Sequence, residues 1–125
     1  MVIADETIGG TVEALLVSST LTAAGAVTFH AESINTTAPD VVGVGVGAIA
    51  VNVIEYKQTI GGTTQTLVSG TNSIDAISAS FTAIDTNTAT VNVDQVSVGA
   101  VTVAVVNATP TIDRTTQASI ADGAT

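Results

Sequence analysis

Apolar and small or polar side chains alternate with period two through much of this chain. Val96-Ser97-Val98-Gly99-Ala100-Val101-Thr102-Val103-Ala104-Val105 alternates strictly up to Val98. It breaks at Gly99-Ala100 and resumes in the opposite phase. Val44-Gly45-Val46, Gly47-Ala48 and Ile49-Ala50-Val51-Asn52-Val53 repeat the pattern. Period two belongs to a β-strand, whose successive side chains point to opposite faces. An extra residue flips those faces. Each stretch therefore predicts two short strands joined by a bend at a Gly-Ala pair. β-Branched Val and Thr are abundant and straight-chain helix formers are scarce, which predicts an all-β class.

The two stretches are copies of one another. Thr7-Ile8-Gly9-Gly10-Thr11 recurs as Thr59-Ile60-Gly61-Gly62-Thr63 and, altered, as Thr111-Ile112-Asp113-Arg114-Thr115, each time 52 residues on. Sliding the chain by 52 without a gap places Phe29 on Phe81, Asn35 on Asn87, Thr36 on Thr88, Val41 on Val93, Val44 on Val96 and Val53 on Val105. The copies run over about 7–58 and 59–110, with a partial third at 111–125, in one segment spanning 1–125. Such repetition marks stacked architectures, in which each unit buries its apolar face on the next.

Within the copies, Val positions match while their neighbours change. Gly43 becomes Gln95, Gly45 becomes Ser97, Ala50 becomes Thr102 and Asn52 becomes Ala104. Matched apolar positions are expected to face the core, and tolerant ones solvent. The predicted fold is a β-solenoid, a right-handed parallel β-helix, the hand following the general preference of parallel crossovers. Equivalent residues would then stack at about 4.8 Å. A copy of this length reads as too long for a single coil, so two coils of about 26 residues or three of about 17 are expected. Ile8, Ile60 and Ile112 would form one inward ladder. Asn35 and Asn87 would stack at a bend, where Asn tolerates left-handed dihedrals.

Composition narrows the function. Lys57 and Arg114 are the only strong cations against 11 acidic residues, for a net charge of −9. That is too few to neutralise a phosphate backbone, so no nucleic-acid partner is expected. There is no Cys, which excludes disulfides and thiolate metal sites, and His30 is the sole imidazole. The longest apolar run, Val41 to Val53, is too short for a membrane span and carries Gly43, Gly45, Gly47 and Asn52, so no membrane insertion is expected. Residues 1–20 lack the basic start of a signal peptide, and Met1 is expected to be either a start added for expression or the start of an excised piece. The acidic, Thr-rich, Lys-poor surface suits an extracellular protein.

Candidate chemistry is sparse. His30 and Glu32 would be a proton relay or metal pair, but the next copy has Thr82 and Ile84 there, so a surface strand histidine is expected. Asp75, Asp85 and Asp94 lack the Gly-Gly-x-Gly-x-Asp signature of a Ca²⁺ repeat. Gly43-x-Gly45-x-Gly47 lacks the Gly-Lys-Ser/Thr ending of a phosphate loop and reads as outward positions in a thin strand. No Gly-x-Ser-x-Gly elbow accompanies the lone His. The sequence singles out no catalytic, cofactor-binding or metal residue, and an enzyme is not expected. Of the Thr-x-Thr pairs, only Thr36/Thr88 is matched between copies, whereas a flat ice- or glycan-binding array needs the same pair on every coil.

Val44-Gly-Val-Gly-Ala-Ile-Ala-Val-Asn-Val-Ile54, followed by Thr59-Ile-Gly-Gly62, resembles the repeats of large filamentous bacterial adhesins, above all the leukotoxin-type adhesins of anaerobic bacteria. The resemblance covers nearly the whole chain. It implies a stalk segment of a secreted, cell-surface protein folded as a right-handed parallel β-helix. The third copy departs from it at Pro110 and Asp113-Arg114. The expected function is therefore a structural rod segment of an adhesin or extracellular fibre. An open strand edge at each end, with only the short tail Ala121-Asp-Gly-Ala-Thr125 as a cap, predicts end-to-end association into dimers or filaments. A host-surface or glycan ligand would use an exposed strand face or inserted loop. Two rivals remain at this stage: a pilin-like antiparallel β-sandwich subunit, and an ice- or glycan-binding solenoid.

Overall fold

The computed structural model describes residues 1–121 and 124–125. Among them the elements are all strands, in the order β1 (Val2–Ile8), β2 (Thr11–Val17), β3 (Thr20–Thr22), β4 (Ala26–Thr37), β5 (Asp40–Val46), β6 (Ile49–Ser69), β7 (Ser73–Asp75), β8 (Ser78–Ala89), β9 (Asn92–Val98) and β10 (Val101–Ile120). The breaks fall at Gly47-Ala48 and Gly99-Ala100, where the alternation changes phase. The sheets are parallel, which removes the antiparallel sandwich.

The chain separates into two compact units, each drawing on every copy. The first holds Met1–Ile8, Asn35–Gly61 and Asn87–Asp113; the second holds Gly9–Ile34, Gly62–Thr86 and Arg114–Thr125.

In the first unit, β1 lies on β6 from Val2↔Ile54 to Ile8↔Ile60, and β5 lies on β9 from Asp40↔Asn92 to Val46↔Val98. Hydrogen-bonded neighbours are thus a whole copy apart, not a half or a third. The expected subdivision into coils of about 26 or 17 residues does not hold. Each copy divides between the two units, each taking about half of it. Val41, Ile54 and Tyr56 form the core, flanked by Val2, Ala4, Val91 and Val93. Asn35 and Asn87 do stack, Nδ2 of the first donating to Oδ1 of the second at 2.9 Å. They sit inside β4 and β8 rather than at a bend, so the amide ladder and not a left-handed dihedral selects them.

In the second unit, β2 lies on β6 from Thr11↔Thr63 to Val17↔Ser69. The gapless offset then fails: Thr20 pairs with Ser73, Leu21 with Ile74 and Thr22 with Asp75, one residue further on. The slip follows a tight turn in which Ser18 (φ 45°) and Gly70 (φ 76°) both take left-handed backbone. Buried Asn72 fills the extra length. Its amide donates to the carbonyls of Ser69 (2.7 Å) and Gly70 (3.0 Å), and its Oδ1 accepts from the Ser19 N–H (2.8 Å). The Asn72 side chain therefore takes up the Ser19 N–H and two carbonyls at the bulge. By Phe29 and Phe81 the copies stack again, rings 5.1 Å apart and 7° from parallel. Of the tail, Asp122 and Gly123 lie outside the described residues. Ala124 bridges Asn72, and the Ile74 N–H donates to the Thr125 carbonyl at 2.8 Å.

Matched Val41 and Val93 face the core of the first unit as expected, but beside the Gly-Ala bends the assignment of faces is the reverse of the expectation. Val44 is 63% exposed and Val46 77%, and Ile49, Val51, Val96 and Val98 are also exposed. Gly43, Ala50 and Asn52 are buried instead. The phase flip at Gly47-Ala48 is where the alternation puts it, but both strands present their small residues inward. The reason is spacing. A Cβ on Gly43 would lie 2.6 Å from Ile54 Cδ1, and one on Gly45 would lie 3.3 Å from Asn52 Nδ2. Beside the bends this interior has no room for a Val ladder. There the tolerant positions are inward because glycine and short polar groups fit, whereas Val44, Val46, Val96 and Val98 keep β-branched side chains on an outer pleated surface.

Candidate functional site

His30 and Glu32 lie two apart on one face of β4, with Nε2 3.5 Å from Oε2 and both side chains largely exposed. Among the described residues no group of three or more His, Asp or Glu side chains could hold a metal ion. Asp75, Asp85 and Asp94 are not brought together as such a group. Gly43 and Gly45 face the interior rather than solvent, correcting their reading as outward positions. Thr36 and Thr88 are exposed equivalents on β4 and β8.

Two buried polar constellations went unseen in the sequence. In the first unit, Tyr56 Oη donates to Glu6 Oε2 at 2.5 Å, and Gln58 Nε2 approaches the same oxygen at 3.4 Å. Glu6 stands on β1, while Tyr56 and Gln58 point inward from the neighbouring β6. Burial raises the Tyr56 pKa to about 12, reinforced by the hydrogen bond to Glu6 and its charge and partly offset by Gln58. Asn52, inward on the same strand, directs Nδ2 to the Val96 carbonyl and Ser97 Oγ, both at 3.5 Å.

In the second unit, Arg114 and Asp85 form an ion pair whose side chains are only 4% and 3% exposed, Nε to Oδ2 2.5 Å. Arg114 Nη2 also donates to Thr64 Oγ1 at 3.0 Å and Ser33 Oγ at 3.3 Å. The pairing has a sequence signal that was available. Position 33 of the first copy is Ser and its equivalent is Asp85; positions 10 and 62 are Gly and their equivalent is Arg114. Two opposite charges thus enter the pattern once each. Their partnership was missed because the residues lie 29 apart and belong to different copies.

The first unit presents Val44, Val46, Val96 and Val98 from β5 and β9, and Ile49, Val51, Val101, Val103 and Val105 from β6 and β10. The second unit carries an open hollow of about 310 Å³ lined by Ile74, Ala76, Ala79, Phe81, Ile120, Ala124 and Thr125. Its lining side chains hold no titratable group. It offers apolar contact and no arrangement of acid, base and nucleophile.

No protein-family model matches the chain, and neither a curated protein nor a solved structure is similar to it.

Proposed function

We propose that the chain is a structural rod segment of a bacterial cell-surface filamentous adhesin or extracellular fibre. In this reading its parallel sheets wind as a right-handed β-solenoid, with one turn per 52-residue copy and new copies adding along the stacking direction. The reading rests on one observation: parallel strands a full copy apart are direct hydrogen-bonded neighbours, from Val2↔Ile54 to Ile8↔Ile60 and from Asp40↔Asn92 to Val46↔Val98. A chain with such a register can be lengthened indefinitely by repeating the same contacts. Continuous main-chain bonding along the stack would carry tension, and apolar burial at about 25 cal/mol per Å² would hold each layer on the next. Association end to end with a second copy belongs to the same proposal. Among the described residues, strands β1, β2 and β10 each pair only with β6, which leaves each an unpaired side there.

The test is to insert further copies of residues 7–58 directly after residue 58, which add Ser33 rather than a second buried Asp85, and to follow the maximum dimension by small-angle X-ray scattering. The expected result is a linear gain of about 4.8 Å per inserted copy at constant cross-section. Growth of the cross-section instead, as for a chain adding globular volume, would overturn the proposal.

A further inference from the structure

The Arg114 cluster is larger than an ion pair, and it holds independently of whether the chain belongs to a fibre. The guanidinium draws its partners from both complete copies: Ser33 from the first, Thr64 and Asp85 from the second. Space for it comes from glycine. A Cβ on Gly62 would lie 2.9 Å from Arg114 Nη1, and Gly62 itself has φ +116°, a backbone that L side chains rarely adopt. Asp85 Oδ1 is buried and has no hydrogen-bond partner among the described residues. One carboxylate oxygen is therefore used and one still offers an acceptor. A planar fork of donors matches a carboxylate with both oxygens, and an ammonium does not.

We infer that the first two copies build a binding site for a guanidinium cation, walled by Asp85, Ser33, Thr64 and Gly62, and that Arg114 occupies it as a tethered ligand. The third copy is thereby keyed to the two beneath it. Stacking in any other order sets Gly over Ser or leaves Asp85 alone. Removing the tether vacates a site in which a buried carboxylate is uncompensated, and a free guanidinium ion restores the missing charge and donors.

The experiment compares the intact chain with Arg114→Gly and Arg114→Gly/Asp85→Ser, which return the residue types of positions 10 and 33. Urea unfolding is followed by circular dichroism in low-millimolar guanidinium chloride, with sodium and tetramethylammonium chloride at equal ionic strength as controls. The expected result for Arg114→Gly is an unfolding constant raised at least about a hundredfold. Guanidinium lowers it about tenfold relative to both controls once it exceeds its dissociation constant by that factor. The double variant is more stable than the single one and indifferent to the cation. If Arg114→Gly fails to fold in sodium chloride, recovery of the β spectrum in guanidinium alone supports the site. Equal behaviour of the single variant in all three salts, or a double variant less stable than the single, overturns the inference.

Discussion

Tyr56 is the residue at which solution pH reaches the interior of the first unit. Its hydroxyl must stay protonated to donate to Glu6. Below pH 10 the group is protonated in folded and unfolded chains alike, and its contribution to stability is fully present. Between 10 and about 12 the unfolded chain ionises first, because burial and Glu6 hold the folded pKa up, so stability falls as pH rises through that window. Urea midpoints of the intact chain should therefore drop across that window relative to Tyr56→Phe, whose own profile lacks this component. Parallel profiles would refute the assignment. At neutral pH the Phe variant should lose about 1 kcal/mol, the usual net value of one hydrogen bond. The lone Tyr was evident in the sequence, but its partner was not, since Glu6 lies a copy away on a neighbouring strand.

At the scale of strands, the reversed faces of β5 and β6 yield a sharp contrast. Gly43→Val forces two methyls onto Ile54 and should cost about 1–3 kcal/mol, the range for overpacked interiors. Val44→Thr, one residue away on the exposed face, should change stability by less than about 0.5 kcal/mol. Chemical denaturation of the two variants checks this directly, and the opposite ranking would restore the Val ladder to the core. Alternation in the sequence located both strands and their Gly-Ala bend. It did not identify the inner face, because a period of two is symmetric and matched Val serves β-propensity as well as burial.

Strand β10 carries a second element-scale consequence. The amides of Val101 and Ala121, at and just past its ends, donate to the Ala48 and Val68 carbonyls, so odd-numbered positions bond toward the preceding copy, on the side of β6. Pro110 is even-numbered and stands on the unpaired side, where its missing N–H interrupts the edge. The equivalent residue is Gln58, whose strand does receive β10. Pro110→Gln restores a donor to that edge and should strengthen concentration-dependent association in sedimentation velocity. Unchanged association would place self-contact elsewhere than on β10.

For the molecule as a whole, exposure reports how the layers are covered. Ile60 is fully buried while Ile112, its equivalent on β10, is 52% exposed. Identical residues thus differ because one has a neighbour on each side and the other only on one. The same argument makes the order of copies matter: Arg114 finds its acid only when the third copy lies on the second.

The sequence by itself determined the all-β class, the interval of 52 and the bends at Gly-Ala pairs, because backbone preference and period-two patterning are local properties. Tertiary structure decided what depends on distance across the interior. It set how far apart facing strands lie, and so that Gly43, Ala50 and Asn52 rather than Val44 and Val46 point inward. It placed one residue of slip at Asn72. It also brought Arg114 to Asp85, because the room that glycine leaves in one layer can be filled only by a long side chain from another.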